Sequence, residues 1–263
     1  MNGLESFDPL YSLSGFFVGI LVGMTGVGGG SLMTPLLILL FGVHPAVAVG
    51  TDLLYASVTK SVGTITHGIA NSIDWKIVGR LAMGSVPASA LTIYWLSVRG
   101  VYGGEIGSLI TSVMGIALIA TSVSLVLRAR ILVFSFDHFG SVNSKWEFGL
   151  TCITGIILGV VVSITSVGAG ALGIVVLMML YPKLPMSRIV GSDIAHAVPL
   201  TLIAGIGHWR LGSVDWLLLV SLLSGSIPGV LVGVYAATCV RESVIRIALA
   251  AVLAVVALRL LFA

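Results

Sequence analysis

Charge is what this chain has least of: only 9% of its 263 residues are Asp, Glu, Lys or Arg, where a soluble domain carries roughly a quarter. So few charges cannot hydrate the surface of a globular domain of this length. The net charge of +3 is spread over short loops, which argues against the dense basic face of a nucleic-acid-binding protein. Cysteine is scarce too. Cys152 and Cys239 sit in or beside apolar segments without Cys-x-x-Cys spacing, so they are read as inert buried thiols, not a redox pair or a metal site. Residues 1–9 hold Glu5 and Asp8 but no basic stretch, so a cleaved secretory signal is not expected. His-Glu-x-x-His and Gly-x-Ser-x-Gly are both missing; an intramembrane enzyme is disfavoured, and neither cofactor nor metal is expected.

In place of charge there is hydrophobic sequence, at 57% of residues and a mean hydropathy of +1.15. Apolar segments run over about 10–42, 45–70, 77–98, 105–127, 148–181, 186–207, 214–237 and 244–262. Most hold about 20–25 residues, enough for a helix to cross a ~30 Å hydrocarbon core. The expectation is an all-α polytopic membrane protein, a single membrane domain over residues 1–263. The first and fifth segments are longer, and glycine interrupts both: Thr25, Gly26, Gly28, Gly29, Gly30 and Ser31 mark one break, and Thr165, Ser166, Gly168, Gly170 and Ala171 the other. Backbone left unpaired by a break is not tolerated against lipid, so each break is expected where protein or an aqueous cavity surrounds it.

The two breaks belong to a duplication. At an offset of 140, Gly15, Gly19, Thr25, Val27, Gly28, Gly30, Leu32 and Pro45 meet Gly155, Gly159, Thr165, Val167, Gly168, Gly170, Leu172 and Pro185. At 141, Gly50, Asp52, His67, Asp74, Trp75, Gly84, Ser85 and Pro87 meet Gly191, Asp193, His208, Asp215, Trp216, Gly225, Ser226 and Pro228. Shared hydrophobicity does not reproduce Asp, His, Trp and Pro in one order, so repeats are expected over about 10–127 and 148–262, joined by a polar cytoplasmic linker at 128–147.

Loop charges bear on topology, because Lys and Arg concentrate on the cytoplasmic side. If the broken segments cross, Lys76, Arg80, Arg128, Arg130, Lys145, Arg210 and Arg259 oppose Arg99, Lys183, Arg188, Arg241 and Arg246, seven against five. If they turn back at the glycines, only Arg99, Arg210 and Arg259 remain on the outer side, three against nine. The second arrangement fits better. Each repeat then holds a glycine-broken re-entrant helical hairpin plus three transmembrane helices, and the odd number of crossings inverts the second repeat. Both termini would lie outside the cytoplasm, in a multi-pass protein of the cell (inner) membrane.

On this topology Ser31, as an N-cap, and Ala171 begin half-helices whose N-termini point inward at mid-depth, with Pro35 in the first turn of one of them. Free N–H groups and the positive end of the helix dipole suit an anion. Thr25, Ser31, Thr165 and Ser166 could add hydroxyl donors; close helix packing is the plainer account of the glycines. Lys60 lies mid-segment, where a charge is costly and marks a functional position, paired either with an anion or with Asp52. Asp52, Lys60 and His67 project within roughly 80° of one another on a helix. Asp52 and Asp193 either bind a coupling proton or sodium ion or hold loop amides. His67 and His208 read as interfacial anchors, and His196 as a buried histidine able to titrate.

The duplicated break, followed by Gly50-Thr51-Asp52 and Gly191-Ser192-Asp193 and then by His before Asp-Trp, resembles the TauE/SafE family of sulfite exporters and sulfonate permeases. The stretch Gly19–Leu32 and Pro35 carry most of the likeness, which covers about residues 12–262. In the second half Ser166 and Ala169 depart from the glycines of the first. The resemblance implies a permease for a small sulfur-containing anion such as sulfite or an organosulfonate. The resulting expectation is a secondary-type transporter working by alternating access around the two turns, with Thr25, Gly26, Gly28–Gly30, Ser31, Lys60, Thr165, Ser166, Gly168 and Gly170 binding substrate. A passive anion channel and a cation transporter built on Asp52 and Asp193 are the alternatives, and oligomeric state is left open.

Overall fold

The computed structural model describes residues 9–25, 30–139, 144–237 and 242–262. They form α1 (Pro9–Thr25), α2 (Gly30–Leu39), α3 (Pro45–Ile69), α4 (Trp75–Arg99), α5 (Gly104–Phe139), α6 (Ser144–Thr165), α7 (Ala171–Leu180), α8 (Met186–Arg210), α9 (Trp216–Ala237) and α10 (Glu242–Phe262), with no strand among the described residues.

Local chemistry sets the ends. Asp74 caps α4 by accepting the Lys76 amide at 3.0 Å, and Asp215 accepts the Leu218 amide at 2.9 Å where α9 begins. This is the usual use of a short carboxylate against the free amides of a first turn. Pro45 opens α3 and Pro185 caps α8, positions where a missing N–H costs nothing. The chain leaves α3 through Asn71 at φ 50° and α8 through Gly212 at φ 74°.

Among the described residues, six helical stretches are long and apolar enough to cross a membrane: Trp75–Arg99, Gly104–Arg128, Trp146–Thr165, Met186–Arg210, Trp216–Gly233 and Val244–Phe262. This is a multi-pass membrane protein. The set differs from the crossings expected from sequence at two places. α3 falls outside it, because Asp52, Lys60, His67 and several hydroxyls dilute its apolar residues. The stretch Trp146–Thr165 of α6, expected as half of a hairpin, has the length of a full crossing. The polar stretch 128–147 is the end of α5 and the start of α6 on either side of residues 140–143.

The helices pack as α1 along α9, α6 along α4, α3 against α8 and α5 against α10. Glycine lets the first two pairs touch backbone to backbone. A side-chain carbon at Gly15 would run into the Leu222 carbonyl, and one at Gly155 into the Leu81 carbonyl. Gly19 faces Ser226, and Gly159 faces Ser85, in the same manner. From the other side, Gly225 meets Ser12 and Gly84 meets Cys152. Lipid offers no hydrophobic drive to pair apolar helices, so close contact of this kind is what holds them. Leu53, Ile110, Met114, Leu118, Leu200 and Leu253 fill the centre, while Phe17, Met83, Leu91, Ile116 and Leu231 point outward, as a lipid-facing surface requires.

Candidate functional site

The Gly-[Thr/Ser]-Asp motif assigns a separate task to each residue. Gly50 lies against the Ser213 carbonyl and Gly191 against that of Ser72, too close for any side chain. Thr51 then accepts the Asp215 amide at 3.0 Å, and Ser192 accepts the Asp74 amide at 2.8 Å. The first two residues therefore clamp α3 to the turn after α8, and α8 to the turn after α3. That leaves the aspartates to point inward. Asp52 accepts a hydrogen bond at Oδ2 from the Thr34 hydroxyl of α2, whereas Asp193 lies against Gly173 of α7 with both oxygens unpartnered among the described residues.

The second glycine turn sits beside these carboxylates. Ser166, Gly168 and Gly170 take φ of 60°, 113° and 131°. Such values are free for glycine and cost a serine on the order of 1 kcal/mol. Thr165 uses its hydroxyl within the turn, donating to Val161 O at 2.7 Å and accepting the Val167 amide at 3.1 Å. α7 then starts at Ala171 with no side-chain cap from Gly170. The Ser166 hydroxyl lies beside Asp52.

Lys60 joins the parts. It is 6% exposed, and its Nζ donates to the carbonyl of Ala169, inside the turn, at 2.6 Å. Asp193 and Asp52 both lie within its electrostatic reach. On α8, His196 is fully buried; its Nε2 meets Ser85 Oγ of α4 at 2.8 Å and its Nδ1 has no partner among the described residues. Tyr55 makes the corresponding contact from α3, donating to Ser226 Oγ of α9 at 2.6 Å. The structure thus brings Asp52, Lys60, Asp193 and His196 together with the turn 166–170. Buried charge of both signs next to an uncapped helix end can hold a small ion or pass a proton.

Other expected site residues fall elsewhere. Thr25 ends α1 and Gly30 begins α2; Gly26, Gly28 and Gly29 lie outside the described residues. Ser31 is the second residue of α2, not its cap, and its buried hydroxyl has no partner among the described residues. Because α2 starts one residue earlier than expected, Pro35 falls past the first turn, where its missing N–H deprives the Ser31 carbonyl of its helical donor. His208 is no interfacial anchor: it is fully buried, with Nδ1 on Ser213 Oγ at 3.0 Å and Nε2 on Ser163 O at 2.9 Å. His67 is half-buried and holds Ser72 Oγ at 2.9 Å. Each histidine fixes the turn that follows its helix. Cys152 is a free thiol that donates to Arg80 O at 3.4 Å, and Cys239 lies outside the described residues.

Thr34, Tyr55, Ser85, Ala169 and Gly173 were not legible as site residues. For Tyr55 and Ser85 a signal existed, since the offset of 141 places Tyr55 on His196 and Ser85 on Ser226.

A helical multi-pass protein with charged groups buried among its helices has the make-up of a membrane transporter. The family model described as Sulfite exporter TauE/SafE matches residues 11–260. The chain belongs to that family, and it is a membrane transporter, not an enzyme. It is 40% identical over 228 residues to "Probable membrane transporter protein YjnA" of Bacillus subtilis, covering 84% of this chain and 87% of the relative. "Probable membrane transporter protein YdhB" of the same organism is 28% identical over 251 residues, covering 94% and 97%. "Probable membrane transporter protein MJ0441" of Methanocaldococcus jannaschii is 29% identical over 203 residues, covering 75% and 70%. No solved structure matches.

Proposed function

We propose that this protein is a secondary transporter for a small sulfur-containing anion, sulfite or an organosulfonate, working by alternating access around the two glycine turns. The observation that carries the reading is the Lys60 ammonium, buried and bonded to Ala169 within the second turn. A lysine is expensive to bury in a membrane unless it meets an anion or a fixed acceptor. Here it is held at the N-terminal end of α7, where the helix dipole adds to its positive field. The anion would bind among Lys60, Ser166 and the turn Gly168–Gly170, with Thr25, Ser31 and the turn Gly26–Gly30 completing the site from the first half. Thr165 would serve by shaping its turn. The sulfur chemistry rests on the family; the charge of the guest rests on these residues.

Two inverted repeats, about 10–127 and 148–262 with a cytoplasmic linker at 128–147, would supply the alternation. Supporting this, α1 packs on α9 through Gly15 and Gly19, as α6 packs on α4 through Gly155 and Gly159. The Thr51–Asp215 contact likewise matches Ser192–Asp74. Lys60 stands near the middle of the 25-residue α3, so the turn that it touches lies within one side chain's reach of that level. The protein would reside in the cell (inner) membrane with both termini outside the cytoplasm.

Flux in proteoliposomes tests the function. Labelled sulfite or methanesulfonate should enter with saturating concentration dependence and show counterflow, and Lys60→Met should lower the rate at least tenfold. Flux by Lys60→Met equal to the unaltered protein would remove the proposed site, and flux without saturation or counterflow would make the protein a channel.

A further inference from the structure

Asp193 is fully buried on α8, and neither carboxylate oxygen has a hydrogen-bond partner among the described residues. Its Oδ1 lies so close to Gly173 that a side-chain carbon at that residue would overlap it. Gly173 belongs to the first turn of α7, whose N-cap, Gly170, supplies no side-chain cap. Asp193 thus puts a carboxylate where the helix end and Lys60 favour negative charge. Asp52, 141 residues earlier in the sequence, is engaged by Thr34 instead. The two aspartates differ in their surroundings: Asp52 lies beside Ser166, where the turn begins, whereas Asp193 lies against the first turn of α7 itself.

Few charges surround it. Lys60 of α3 is the charged group acting on Asp193, and Asp52 acts on Lys60 from the same helix. α4 presents Ser85, which is held by His196 of α8. α7 carries no ionisable side chain, and after Glu147 α6 carries none beyond Cys152.

Resting on the anion reading above, we propose that the Asp193 carboxylate and the transported anion exclude one another at the first turn of α7, so that the anion enters as Asp193 takes up a proton. Two negative charges at one poorly hydrated helix end repel strongly. A proton from the open compartment adds to a carboxylate oxygen and removes one of them. Lys60 and the helix end are then left to the anion. When the site opens to the other side the anion departs, the proton leaves the carboxyl group for that compartment, and Asp193 resumes its place. One proton travels with each anion, and no other bond changes. A sodium ion is the poorer coupling partner, because the Lys60 ammonium would repel it, whereas a proton leaves no charge on Asp193.

Purified protein binding methanesulfonate, which stays ionised at every pH used, tests the linkage, with sulfite as a second probe after correction for its own protonation. At pH above the Asp193 titration, binding should take up one proton per anion in weak buffer. The dissociation constant should rise about tenfold per pH unit above the Asp193 titration and level off below it. Asp193→Asn should bind with no such dependence, and in proteoliposomes it should exchange anion without accumulating it under an inward proton gradient. The proton count needs no variant, so it decides even if Asp193→Asn fails to fold. Binding without proton uptake, accumulation driven by sodium in place of protons, or gradient-driven accumulation by Asp193→Asn would each overturn the coupling and leave the anion reading standing. Binding of neither probe would overturn the anion reading, and the coupling with it.

Discussion

The Thr34 hydroxyl donates to Asp52, while the residue 140 positions later is Ile174, which has no proton to give. Thr34→Val keeps the shape and removes that donor from the buried Asp52; it should lower unfolding stability in detergent by about 1–3 kcal/mol. Adding Asp52→Asn should recover part of the loss, since a neutral amide is less costly to bury. Equal stability of Thr34→Val and the unaltered protein would show that the bond contributes nothing. Lys60, Asp52 and Asp193 could be picked out beforehand because a charge in an apolar segment is rare. Thr34 could not. A hydroxyl on an apolar helix commonly returns its proton to the carbonyl four residues back, as Thr92, Thr154 and Thr201 do with Ala88, Leu150 and Ala197. Composition does not reveal which hydroxyls look outward. Ser166 was half legible: its φ of 60° coincides with Gly26 at the offset of 140, and a glycine in one copy marks a left-handed turn in the other.

Among the helices, glycine separates contact from ornament. Gly225→Ala would press a methyl group into the backbone of Ser12, and Gly155→Ala into that of Leu81. A backbone cannot yield as a side chain can, so each should cost about 1–3 kcal/mol and lower the melting temperature. Gly149→Ala and Gly79→Ala, which have nothing within 4 Å, should change stability by less than about 1 kcal/mol, toward higher stability, because alanine is the better helix former. All four variants melting alike would contradict the packing described for α1, α4, α6 and α9. The elements themselves were readable because apolar runs end at Asp-Trp, Pro and Gly. Their partners were not. A stripe of small residues announces that something packs there but does not name it, and nothing in the order of the chain says that α1 lies on α9. The glycine break shows where α6 stops, whereas its polar first turn, Ser144–Glu147, continues the helix beyond the apolar residues.

For the molecule as a whole, the inverted arrangement places Lys76 and Arg210 on opposite sides of the membrane, whereas full crossing by both broken segments places them together. Single cysteines at these two exposed positions, with Cys152 and Cys239 replaced, should react with an impermeant thiol reagent from opposite faces of oriented vesicles. Labelling of both from one face would end the inverted model. The lengthwise pairing of α1 with α9 also sets a schedule for manufacture. Ser12 bonds to the Ser221 carbonyl, 209 residues further along the chain. At a translation rate of about 5–20 residues per second, the first helix emerges on the order of ten to forty seconds before its mate. Through that interval its glycine groove faces lipid, unfilled, so α1 is sealed only when a helix made some two hundred residues later arrives. Until then the newborn chain depends on whatever holds its first helix in place.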